Sequence, residues 1–93
     1  MKSILQDDKA CFVCGTIFGL HRHHVFYGAG NRAVSERDGC WCYLCAYHHN
    51  LSDKGVHFNK DLDLRLKRRC QEIWEETYGD RESFIRRYGK SYL

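Results

Sequence analysis

Two short segments of this chain concentrate histidine and cysteine at spacings that suit metal coordination. Residues 21–28 read HRHHVFYG and place His21, His23 and His24 within four positions. Residues 45–50 read CAYHHN and set a second pair of histidines beside a cysteine. The whole chain has 93 residues, with six cysteines and six histidines. Because imidazole and thiolate groups are preferred ligands of zinc and related ions, the two segments predict metal binding.

Two widely separated pairs of ligand residues predict a structural zinc site. Cys11 and Cys14 form C-x2-C, and Cys45 and His48 form C-x2-H. Each pair spans one tight turn, so its two donors can share one tetrahedral ion. An ion that closes the long loop between the pairs stabilises a domain too small for a thick core. Cys42 and Cys45 also form C-x2-C, so an all-cysteine site remains an alternative.

The other cysteines are interpreted as buried thiols. Cys40 and Cys42 share one face of a predicted strand, and Cys70 lies alone on a predicted helix.

The segment at residues 1–10 lacks the apolar stretch of a signal peptide, and no apolar run is long enough to cross a membrane. We therefore expect a cytoplasmic protein whose cysteines are reduced.

The patterning around these residues predicts two strands, a short helix and two longer helices. The strands are expected within residues 17–28 and 40–44, and the short helix is expected to end at Gly55. Residues 29–39 are predicted to form a loop with one helical turn. The expected C-terminal helices are capped by Asn59 and Asp80, and apolar residues recur along them at helical spacing. Adjacent histidines on a strand point to opposite faces, so His23 and His24 are expected to have separate roles.

The charge distribution indicates a phosphate-containing partner. The net charge is only +3, but residues 65–70 and 81–90 each carry four basic groups. A solvated helix face is the common explanation of one such run, whereas two runs beside a metal-rich half favour nucleic acid.

The segments CFVCG, LHRHHV and LCAYHHN, in this order, resemble the HNH endonucleases, also called ββα-metal or His-Me finger nucleases. The resemblance covers residues 11–53 and extends less specifically to small phage-borne members, which implies the cytoplasm of a bacterial or phage-infected cell. It implies one α+β domain over residues 1–93, with a zinc-stapled ββα-metal core at about 11–56 and a helical part at about 59–90. It also favours His48 over Cys42 as the fourth zinc ligand.

The resemblance assigns roles to the remaining histidines. His23 and His49 match the ligands of a catalytic divalent cation, expected to be Mg2+ or a related ion, and His24 matches the general base. Asp53 and His57 are the candidates for a further cation ligand. Arg22 and Arg32 are expected to hold phosphate near the site, and the basic helix is expected to position the DNA backbone through Arg65, Lys67, Arg68 and Arg69.

The implied activity is metal-dependent hydrolysis of phosphodiester bonds in DNA, with no small-molecule cofactor and no membrane. Cys40 stands where the family has its middle Asn. The alternative is therefore a degenerate, non-catalytic HNH domain that binds nucleic acid. A homodimer is also considered, because the C-terminal region is rich in aromatic residues, namely Trp74, Tyr78, Phe84 and Tyr88.

Overall fold

The computed structural model describes residues 1–50 and 54–93. It is an α+β fold in which a two-stranded antiparallel sheet is joined by four helices. The elements in chain order are β1 (Leu20–His24), α1 (Asn31–Asp38), β2 (Trp41–Cys45), α2 (Ala46–His49), α3 (Lys60–Thr77) and α4 (Arg81–Tyr88). The predicted strands and C-terminal helices are thereby confirmed, although β1 is shorter than its predicted range of 17–28.

The sheet register determines which histidines share a face. His23 pairs with Cys42, and His24 pairs with Trp41. His23 is buried beneath α2, whereas His24 points toward α1. The side chains of His23 and His24 point to opposite faces of the sheet, as expected for neighbours on a strand.

Helix α1 is longer than the single turn predicted for residues 29–39. Its buried side chains, Ser35 and Asp38, are polar, so no apolar stripe marks the helix in the sequence. The Ser35 hydroxyl donates to the carbonyl of Phe26 and accepts from the amide of Phe26, which fastens α1 beside the sheet. The helix ends at Gly39, whose φ of +76° and contact with the Lys2 carbonyl exclude a side chain.

The two C-terminal helices begin at the predicted caps. The side chain of Asn59 accepts from the amide of Leu62, and that of Asp80 accepts from the amide of Ser83. The helices contribute Leu66, Cys70, Trp74, Phe84 and Tyr88 to a core that includes Phe26 and Leu44. Three of the four aromatic residues considered for a dimer contact thus pack inside their own chain, while Tyr78 is exposed.

Among the described residues no helix combines the length and apolar character needed to cross a bilayer.

A buried carboxylate ties α1 to the C-terminal helices. Asp38 accepts hydrogen bonds from the Trp74 indole at 2.9 Å, the Tyr88 hydroxyl at 2.7 Å and the Arg87 guanidinium at 2.6 Å. Burial alone would raise the pKa of Asp38, but the bonds from Arg87, Trp74 and Tyr88 lower it below its ordinary value. The network therefore requires the ionised carboxylate.

Asp38→Asn is expected to destabilise the protein by about 2–4 kcal/mol at neutral pH, because buried donors lose a charged acceptor. The folded pKa lies below the unfolded value of about 3.9, so the unfolded chain takes up the proton first on acidification. The difference between wild type and variant should therefore shrink below about pH 4. Urea unfolding of wild type and Asp38→Asn at neutral pH and below pH 4 measures this difference in stability. Equal unfolding midpoints at neutral pH would contradict the stabilising role of Asp38.

Candidate metal centres and active-site cavity

Four zinc-type ligands meet where the first turn of the chain touches the end of β2. Cys11 and Cys14 lie in a turn closed by the bond from the Gly15 amide to the Cys11 carbonyl at 2.8 Å. Cys45 is the last residue of β2, and His48 lies one turn later in α2. Their ligand atoms all lie within 4.8 Å of one another. We call these four residues the knuckle site.

The spacing of the knuckle atoms fits one tetrahedral ion. The sulfurs of Cys14 and Cys45 are 3.8 Å apart, and His48 Nδ1 is 3.3 Å from the Cys45 sulfur and 3.9 Å from the Cys11 sulfur. Ligands at about 2.0–2.3 Å from a tetrahedral zinc ion lie roughly 3.3–3.8 Å apart. The residues present can therefore hold a metal ion such as zinc, and it would join the turn at residues 11–15 to the end of β2 and to α2.

The knuckle site leaves out Cys42. This thiol is fully buried, and burial raises its pKa to about 12. Cys11 behaves differently, because backbone hydrogen bonds outweigh the effect of burial and lower its pKa to about 6. The four residues whose ligand atoms meet therefore include His48 rather than Cys42. Cys40 and Cys70 are fully buried, as expected of core thiols.

A second group consists of three imidazoles. His23 on β1, His49 at the end of α2 and His57 before α3 bring their ligand atoms within 4.8 Å of one another. The Nε2 atoms of His49 and His57 are 3.1 Å apart. The centre of the His23 ring lies 5.4 Å from the ring centres of His49 and His57. We call these residues the imidazole site. Asp53, the other predicted ligand, lies outside the described residues.

The protonation of these histidines suits metal ligation. Burial, followed by the charges of the neighbouring histidines, lowers the pKa of His23 to about 3. Burial and the charges of His57 and His21 lower the pKa of His49 to about 4. Both rings are therefore neutral near pH 7, as a metal ligand must be.

The buried Nε2 atom of His23 has no hydrogen-bond partner among the described residues, and the residue is only 2 % exposed. A buried polar atom without a partner costs about 1–3 kcal/mol, so its presence needs an explanation. An ion bound at the imidazole site would satisfy this atom. The residues present therefore fit a metal ion here as well.

His21 was not predicted to contribute to the site. Its Nδ1 atom is 2.9 Å from Nδ1 of His49, and this contact fixes the orientation of the His49 ring. With Nδ1 bonded to His21, the Nε2 atom of His49 faces His57. The signal was present in the sequence, because His21 and His23 are two residues apart and share one strand face.

The imidazole site opens into a cavity of about 210 Å³. His24 lies on its wall with Arg32, and the remaining lining residues are Arg22, His23, Tyr27, His49 and His57. The predicted base, three of the predicted cation ligands (His23, His49 and His57) and two arginines are thereby brought together. Glu36, which the sequence did not single out, bonds Nε2 of His24 at 2.9 Å.

The four basic residues predicted on α3 do not line this cavity. Arg65, Arg68 and Arg69 border a separate groove beside the exposed side chain of Phe12. Lys67 is largely covered and forms an ion pair with Asp63 at 2.8 Å. Its ammonium group also lies over the rings of Tyr27 and Tyr92, so its contacts are within the protein.

Comparison with known proteins adds no relative to this description. No protein-family model matches the chain, and neither the curated proteins nor the solved structures contain a match. The candidate function therefore depends on the geometry of the two metal centres and the cavity.

Proposed function

We propose that the protein is a metal-dependent endonuclease of the HNH type, which hydrolyses phosphodiester bonds in DNA. The observation that supports this proposal is the cavity that the imidazole site, His24 and Arg32 line together. We propose that β1, β2 and α2 form the ββα-metal core and that an ion at the knuckle site holds the turn at residues 11–15 against it.

Each group in the cavity has a role that its chemistry suits. His23, His49 and His57 would hold a divalent cation, which would supply positive charge for the scissile phosphate and the leaving oxygen. His24 takes a proton from the attacking water, and a histidine suits this task near neutral pH. Arg32 binds a nonbridging phosphate oxygen through its guanidinium group. Water adds to phosphorus as the bond to the 3′ oxygen breaks, which leaves a 5′ phosphate and a 3′ hydroxyl.

The ligand set bears on the choice of cation. Imidazole nitrogens favour zinc, copper, iron or nickel, whereas magnesium and manganese prefer oxygen ligands. All three ligands in the described part of the imidazole site are nitrogens. We therefore propose a first-row transition metal as the better cofactor, with magnesium as the comparison.

A nicking assay tests the proposed function. Supercoiled plasmid is incubated with the purified protein and manganese, nickel or magnesium, and the ends of the products are then analysed. We expect nicked circles with 5′ phosphates, fastest with a transition metal, and no reaction after chelation. If duplex, single-stranded and branched DNA all remain intact, the protein is instead a zinc-stapled nucleic-acid-binding module.

Arg32→Ala is expected to raise KM for DNA about tenfold, because a charged hydrogen bond to phosphate contributes about 1.5–3 kcal/mol. Arg32 is exposed and lines the cavity, so its removal should leave the fold intact. Arg86→Ala on α4 is the matched control, since Arg86 is exposed but does not line the cavity. Equal KM values for the two variants would contradict the role of Arg32.

A further inference from the structure

We propose that Glu36 is a positioning residue, which holds His24 in the tautomer protonated at Nε2 and leaves Nδ1 to accept the proton of the attacking water. The inference rests on the proposed function and adds to it the atom of His24 that acts. It follows from a row of contacts that links His24, Glu36, Arg22 and Trp41.

The contact between Glu36 and His24 defines the tautomer. Oε1 of Glu36 lies 2.9 Å from Nε2 of His24. An ionised carboxylate can only accept hydrogen bonds, so the ring nitrogen that faces it must carry the hydrogen. The bonds from His24 and Arg22 lower the pKa of Glu36, which keeps this carboxylate ionised. In a neutral ring, Nδ1 then holds the free lone pair, and no residue in 1–50 or 54–93 forms a bond to it.

Glu36 is itself held in place by Arg22. A terminal nitrogen of Arg22 donates to both oxygens of Glu36, each at 3.0 Å. Arg22 and His24 are two residues apart on β1, so they reach Glu36 from the same strand face. The carboxylate is thus fixed between two donors, which defines where its oxygen meets the imidazole ring.

Trp41 supports the guanidinium group of Arg22. The guanidinium carbon lies 3.7 Å from the centre of the Trp41 ring, which is a close cation–π contact. Trp41 is 5 % exposed, pairs with His24 across the sheet and donates from its indole to the carbonyl of Met1 at 3.1 Å. A buried ring on the partner strand therefore anchors the row of side chains that ends at His24.

This arrangement changes the expected role of Arg22. One of its terminal nitrogens is used by Glu36, so Arg22 acts on the proposed base through that carboxylate. Arg32 is then the arginine of the cavity that is left for phosphate. Within residues 1–50 and 54–93, Glu36 is the carboxylate that contacts His24.

The tautomer can be measured without any nuclease assay. In zinc-loaded, ¹⁵N-labelled wild type, long-range ¹H–¹⁵N spectra should show a protonated Nε2 and an unprotonated Nδ1 for His24. Glu36→Ala removes the acceptor and should shift His24 toward a mixture of the two tautomers, whereas Glu76→Ala on the exposed face of α3 should not. A protonated Nδ1 in wild type, or unchanged His24 signals in Glu36→Ala, would overturn the inference.

Kinetics distinguish a positioning role from a purely structural one. Glu36→Ala should lower kcat roughly ten- to a hundredfold at unchanged KM and zinc content, as replacement of an orienting group generally does. Glu36→Gln keeps an oxygen acceptor, so its kcat should lie between those of Glu36→Ala and wild type. Equal kcat in wild type and Glu36→Ala would overturn the role. If wild type cleaves no DNA, the nuclease proposal fails, and the spectra alone decide whether Glu36 positions His24.

Discussion

Cys14→Ser is expected to release the ion of the knuckle site and to unfold most of the protein at ambient temperature. Cys14 is exposed, so its replacement removes almost no packing. It does remove one of four ligands, and structural zinc sites in small domains contribute apparent binding free energies of about 10–16 kcal/mol. Domains of this size are stable by only about 5–15 kcal/mol, so the loss should exceed the stability that remains.

Zinc analysis and circular dichroism of the purified variant measure this effect. Cys70→Ala is the matched control, because Cys70 is fully buried in the core but is not part of the knuckle site. The control should lose some stability through the cavity it leaves and should keep its zinc. A Cys14→Ser protein that retains wild-type zinc content and thermal midpoint would show that the knuckle does not depend on an ion.

His24→Ala is expected to lower kcat for DNA cleavage by about 10²- to 10⁴-fold, the usual contribution of a general base. The side chain of His24 is 12 % exposed and belongs to neither group of metal ligands. Its removal therefore leaves both groups of metal ligands in place. The variant should fold, keep its zinc and bind DNA with an affinity close to that of wild type.

Parallel measurements of kcat, metal content and DNA affinity separate the possible causes of a loss. A drop in kcat with normal metal content and affinity identifies His24 as the group that acts in the reaction. Plasmid nicking by His24→Ala at the wild-type rate would refute the assignment, and it would also expose a contaminating nuclease as the source of the activity.

The sequence was informative wherever a local rule determines the structure. The strands around His23 and Cys42 follow from their branched and aromatic residues, and the caps Asn59 and Asp80 follow from hydrogen-bonding chemistry. The two pairs of the knuckle site were recognisable because each lies within one tight turn, and the resemblance favoured His48 over Cys42 as the fourth ligand. In each case the deciding interactions link residues only a few positions apart.

The parts that were missed depend on contacts between distant residues. The length of α1 was underestimated because its buried face consists of Ser35 and Asp38, whose partners lie elsewhere in the chain. Glu36 looks like an ordinary surface acid until the fold places it against His24. Strand alternation places His21 on the face of His23, but its contact with His49 forms only when α2 folds against that face. Periodicity and spacing do not report such contacts.

We expect the protein to bind two metal ions in chemically distinct sites, and X-ray absorption at the zinc K edge can distinguish the two sites. With one equivalent of zinc we predict a shell of three sulfurs at about 2.3 Å and one nitrogen at about 2.0 Å. The second equivalent should add a shell of nitrogen and oxygen alone. Four sulfurs per ion at one equivalent of zinc would contradict the ligand set of the knuckle site. The lack of a nitrogen-rich shell at two equivalents would contradict metal binding at the imidazole site.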